Sequence, residues 1–263
     1  MPGPPPRPRR RRRLPWLALL ALLGLCGLAA AADGISNQLL PRRFTAAQKV
    51  RIEAWDIAQR WRTTPKTRLF PAKVRYQLVG EQIGAPGALL LMARRLGIAR
   101  QATCASAAGT GGSLIGLLDH DGCQAVLRAT YTDATSSMVL TVGVAVLGSE
   151  NNAVSAAHFL TGGVAEGQGA VARGLALRPV RVPDTPAAAF GVRQRQIAWV
   201  VGAGSYLVVA TAGFADGRPR VPVTSDSYIY LEMSSLARGV AVDIATPLGA
   251  PAPAPHCPGS PGC

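Results

Sequence analysis

Six arginines (Arg7, Arg9, Arg10, Arg11, Arg12 and Arg13) stand directly before nineteen residues without a charge, LPWLALLALLGLCGLAAAA from Leu14 to Ala32. As a helix this run rises about 28 Å, close to the hydrocarbon thickness of a bilayer. The arginine block resists crossing a membrane. Residues 1–13 are therefore expected on the cytoplasmic side, Leu14–Ala32 as a transmembrane or signal segment, and the rest of the chain outside. Two outcomes stay open. Ala30-Ala31-Ala32 is a small-x-small site whose cleavage before Asp33 gives a secreted protein. The run is longer than an ordinary signal core, which favours a retained single-pass anchor in the cell membrane. Cys26 follows Leu25 where a lipidation signal has a small residue, so it reads as a cysteine inside an apolar helix. The arginine run alone would suit a nuclear-localisation patch, but the membrane-length segment behind it argues against that.

Beyond the leader the charge is segregated. Residues 33–263 carry 22 Lys+Arg against 14 Asp+Glu, a net +8. Residues 42–100 hold 13 basic and 3 acidic side chains, and residues 101–263 hold 9 and 10. The positive charge thus lies next to the membrane, where it is attracted to anionic surfaces. Arg42, Arg43, Lys49 and Arg51 are the expected contacts with an anionic membrane surface or a cell-wall polymer, and an envelope protein is a further partner class. The same residues also suit the solvated face of a helix. Nucleic acid is not expected, because the domain is exported and no aromatic-interleaved basic motif appears.

The 231 residues after the leader suit one domain. Residues 33–43 read as a tether, 44–245 as the domain, and 246–263, with repeated proline and no charge, as a Pro/Gly-rich disordered tail. Thr45 and Gln48 form a capping box ahead of a helix whose apolar stripe is Val50, Ala54, Ile57, Ala58 and Trp61. Trp55 and Trp61 are expected in the core. Thr64-Pro65 ends that helix. Lys73–Val79 alternates as a strand with Val74, Tyr76 and Leu78 on one face, and Ala88–Gly97 reads as a helix. Ala125–Thr132 and Met138–Leu147 are strands around the turn Asp133–Ser137. Ser149 caps a helix to Leu160. A short strand is expected near Leu175–Val182. Val192–Val201 and Tyr206–Phe214 form a hairpin around Gly202–Ser205, and Ser225–Leu236 is the last helix. The order predicts an α+β fold: a single domain with an antiparallel sheet packed by helices, preceded by one N-terminal transmembrane or signal helix.

Outside the cytoplasm disulfides persist. Cys104 and Cys123 are the two cysteines of the globular part and are expected to be bridged, closing the Gly-rich loop between them. Cys257 and Cys263 lie in the tail and could pair with each other.

Catalytic signatures are missing from the sequence. Asp119-His120-Asp121-Gly122 lacks a second ligand cluster, so it reads as an exposed turn instead of a metal site. His158 reads as a helix residue near the core edge. Gly109–Ser113 could form an anion-binding nest but lacks the lysine of a phosphate-binding loop, and flexibility is the simpler reading. Ser113 and Ser205 have no activating context. No carboxylate pair suits glycosidase chemistry. No catalytic, metal or cofactor residue is therefore assigned, and no cofactor is expected.

Gly122–Leu160, GCQAVLRATYTDATSSMVLTVGVAVLGSENNAVSAAHFL, joins a half-cystine, a strand ending in Tyr-Thr-Asp, a Val-rich strand and an Ala-rich helix. In that order it resembles the extracytoplasmic domains of actinobacterial membrane proteins, among them the sensor domain of mycobacterial Ser/Thr kinases and PsbP-like lipoproteins. The whole chain resembles an actinobacterial family of membrane-anchored or secreted proteins. The resemblance implies binding or sensing and supplies no catalytic residue; no kinase domain accompanies it. The expected function is a non-catalytic extracytoplasmic binding or sensing module of the cell envelope. The alternative is a secreted hydrolase with an unrecognised active site.

Overall fold

A computed structural model of the chain describes residue 3 and residues 22–24, 44–79, 88–109, 112–161, 167–172, 174–222 and 227–251. Its strands are β1 (Lys73–Val79), β2 (Ala88–Ile98), β3 (Ala125–Thr132), β4 (Met138–Val146), β5 (Arg195–Ala203) and β6 (Tyr206–Phe214). They pair antiparallel in the order β1-β2-β3-β4-β6-β5. The sheet is curled and the class is α+β, as expected. The helices are α1 (Ala46–Thr63), α2 (Lys66–Leu69), α3 (Cys104–Ala108), α4 (Ser113–His120), α5 (Glu150–Thr161), α6 (Gly167–Ala172) and α7 (Tyr228–Gly249). Residues 46–50 belong to a separate compact unit from Arg51–Ala252.

Local chemistry places several elements where the sequence put them. The Thr45 N–H donates to Gln48 Oε1 at 2.9 Å and the Gln48 N–H to Thr45 Oγ1 at 3.2 Å, the reciprocal capping box of α1. The β3–β4 turn is held by Asp133, whose carboxylate accepts from the Met138 N–H at 2.7 Å and the Thr135 N–H at 3.1 Å. Ser149 Oγ accepts from the Asn152 N–H at 3.2 Å and caps α5. The β5–β6 hairpin turns on Gly204 and Ser205, and Gly204 supplies the positive φ of 53° that such a turn needs.

The sheet is covered on both faces from β3 to β5. On the inner face Leu127, Tyr131, Leu140, Val142, Val144, Tyr206 and Val208 pack against Met233, Leu236, Val240 and Ile244 of α7 and Ile57 of α1. On the outer face Val126, Ala145, Leu207 and Val209 pack against Leu114 and Leu118 of α4 and Ala153 and Ala156 of α5. β4, buried at all nine positions, is the central strand such double cover demands.

Four expectations are corrected. Ala88–Gly97 is not helical. It forms most of β2, where pairing with β1 and β3 overrides the helix propensity of its Ala, Leu, Met and Arg. Leu175–Val182 joins no ladder. It crosses the outer face as a strap whose backbone is bonded in part by threonine side chains. The Leu177 N–H donates to Thr211 Oγ1 at 3.0 Å, the Val180 N–H donates to Thr141 Oγ1 at 3.0 Å, and the Val180 carbonyl accepts from Thr130 at 2.8 Å. The last helix runs to Gly249, so residues 246–249 are helical and not part of a tail. Its terminal carbonyls, at Pro247 and Leu248, accept from Arg60 at 3.0 and 3.1 Å, which offsets what a helix end leaves unpaired. Finally, Trp55 is 67 % exposed, and only Trp61 packs against the core.

The Gly-rich loop between the cysteines contains two helices, α3 and α4. Among the described residues no helix is long and apolar enough to cross a membrane. Leu14–Ala32 (apart from residues 22–24), the tether 33–43, Arg42, Arg43, Cys257 and Cys263 lie outside the described residues.

Candidate functional site

A cleft of about 760 Å³ lies between the edge strand β1 and the outward side of α7. It exists because α7 lies almost directly on β1. A Cβ at Gly239 would stand 2.4 Å from Tyr76 Cβ, so only glycine allows the approach. Alternation along β1 buries Val74 and Tyr76 and turns Arg75 and Gln77 outward into the groove. The helical period brings Ser235, Arg238, Val242, Asp243 and Thr246 along the opposite wall. The Arg238 guanidinium rests 5.6 Å from the Trp199 ring centre, which holds it at the lip. Partial burial raises the Asp243 carboxyl above its ordinary range. The groove thus offers two cations, one carboxylate, an amide and two hydroxyls along a narrow wall.

A second cleft, about 580 Å³, opens at the start of α7 among Ser136, Ser137, Phe214, Arg218, Tyr228 and Glu232. Burial, and then the nearby Asp133, raise the Glu232 carboxyl. Asp133 itself is committed to the β3–β4 turn, and Asp216 pairs with Arg218 at 2.5 Å. The Tyr76 hydroxyl is buried and finds no hydrogen-bond partner among the described residues, and burial followed by the Glu232 charge disfavours its ionisation. A third, about 260 Å³, is lined by Gly109, Gly112, Gly174, Arg178 and Arg195. Here Arg195 donates to the Ala176 carbonyl at 2.9 Å and Arg128 to the Arg178 carbonyl at 3.1 Å, so two arginines clamp the strap.

The residues singled out from sequence are distributed differently. Cys104 and Cys123 are bonded, with Cα atoms 6.2 Å apart, and tie the start of α3 to the end of α4. Lys49 and Arg51 are exposed on α1. The His120 side chain is 84 % exposed and its Nδ1 lies 3.1 Å from Asp121. His158 is exposed on α5 instead of lying at the core edge. Neither histidine lines any of the three clefts. Among the described residues no group of three or more His, Cys, Asp or Glu is placed to hold a metal. Arg238 and Asp243 were missed because the last helix was expected to end at Leu236. The outward alternation of KVRYQLV already marked Arg75 and Gln77. No family model, curated protein or solved structure matches the chain.

Proposed function

We propose that this chain is a non-catalytic extracytoplasmic binding module of the cell envelope, of the actinobacterial membrane-anchored kind, held at the membrane by Leu14–Ala32. Its ligand is an anionic envelope polymer that lies in the groove between β1 and α7. The observation that carries this reading is that Arg75 of β1 and Arg238 of α7 both line this cleft. Two guanidiniums lining one cleft suit a phosphate- or carboxylate-bearing chain, since hydrogen bonds to charged groups are the stronger ones. The Cys104–Cys123 bridge fits an oxidising compartment. The hydrolase reading needs a base beside a nucleophile; the groove lining holds Ser235 and Thr246 with no histidine, and Asp243 is its one carboxylate.

The test is equilibrium binding of the full chain to purified anionic wall polymer at about 0.1 M salt, where exposed charges still act over roughly 10 Å. Arg75→Gln with Arg238→Gln should weaken binding at least tenfold, each charged contact being worth about 1.5–3 kcal/mol. Equal affinity of the double variant and the wild type removes the groove from the account. Lys49→Gln with Arg51→Gln is the matched control for a general electrostatic attraction by α1.

A further inference from the structure

The helices and the strap cover the outer face over β3 to β6 but leave its other end open. Directly paired residues share a face, so Lys73 and Arg94, Arg75 and Met92, and Gln77 and Leu90 all point outward from β1 and β2. Their inward neighbours Val74, Tyr76 and Ala93 are buried. On the open side Lys73, Arg75, Gln77 and Arg94 are exposed, Leu90 is 60 % exposed and Met92 38 %. None of the three cations forms an ion pair among the described residues. The face therefore sets aliphatic side chains among charges of one sign, with no carboxylate among its described residues.

We infer that this uncovered face of β1 and β2 docks on an anionic lipid bilayer; the inference rests on the membrane-tethered reading above. The pattern decides between occupants. A protein interface core is depleted of charge, whereas a bilayer is negative at its surface and apolar just beneath. A wall polymer would pair with the cations and leave Leu90 and Met92 in water. Docking also accounts for the concentration of positive charge in residues 42–100. Lys73, Arg75 and Arg94 come from that stretch, and the fold brings them to one surface.

The test places a photo-crosslinking benzoylphenylalanine at Leu90 of the full chain, in vesicles of phosphatidylcholine alone or mixed equally with phosphatidylglycerol. Lipid adducts should form in the anionic vesicles and fall several-fold at high salt. The same label at Val154, also exposed but on α5, should give few. Lys73→Gln with Arg94→Gln should lower the yield about 25-fold, one basic side chain at such a surface being worth about fivefold. Arg75 is left intact because it also lines the groove. Equal yields in both vesicle types, an absence of lipid adducts, or adducts with a second copy of the chain overturn the docking. Flotation of the unlabelled chain on phosphatidylcholine vesicles reports the anchor separately. Failure to float there removes the tether, while flotation without charge-dependent adducts removes only the docking face.

Discussion

Glu232 shows how one side chain couples packing to pH. Its carboxyl is raised by burial and by Asp133, so the folded state disfavours its charge. The sign follows from linkage: the folded state binds the proton more tightly than the unfolded chain. Its contribution is therefore full below the ordinary glutamate value of about 4.3 and is lost as pH rises through the higher folded value. Glu232→Gln should raise the melting temperature at pH 7 and leave it unchanged near pH 3. A thermal shift series over that range checks it, and a variant less stable at pH 7 would show that the carboxylate has a stabilising partner. This residue was not legible in the sequence, since its neighbour Asp133 is ninety-nine positions away and meets it only through the fold. Thr45 and Gln48 were legible, because a capping box is decided within four residues.

At the scale of elements the same division holds. β1, β3, β4 and β6 could be read closely from alternation or sustained apolarity, which are properties of the strand itself. β2 could not. Its residues favour helix, and only β1 and β3 on either side make it a strand. The strap at Leu175–Val182 was half legible: extended, but held by Thr130, Thr141 and Thr211 side chains and two isolated backbone bonds instead of by a strand ladder. Three threonines inside otherwise apolar strands were the available signal, since a buried hydroxyl needs a partner. The groove was legible on its β1 wall alone. The Cys104–Cys123 bridge fixes α3 and α4 over the outer core, closing a loop with a sequence separation of 19. Replacing either cysteine with serine should cost about 3 kcal/mol in the chain-entropy model. Chemical denaturation with and without reductant measures it. A wild type indifferent to reductant would show that the buried Leu114 and Leu118 hold the helices unaided.

For the molecule as a whole, the sheet is saturated at its centre and open at one end. β4 has no exposed position, while β1 and β2 present cations and aliphatic side chains on their open face, and the groove starts at the β1 edge of that face, where Arg75 and Gln77 belong to both. Lys73, Arg75, Gln77 and Arg94 lie within the positive stretch 42–100, whereas the α7 wall of the groove lies outside it. This arrangement gives the proposed module its two contacts, polymer in the groove and lipid on the open face. The most direct measurement of the central claim is amide hydrogen exchange of the full chain with and without purified anionic wall polymer, together with mass analysis of the recovered polymer. The account predicts slowed exchange confined to β1 and the 235–247 stretch of α7, with the polymer recovered intact. Protection confined to the clefts around Glu232 or Arg178, or polymer returned in shorter pieces, would contradict it, and shortened polymer would establish the hydrolase reading instead.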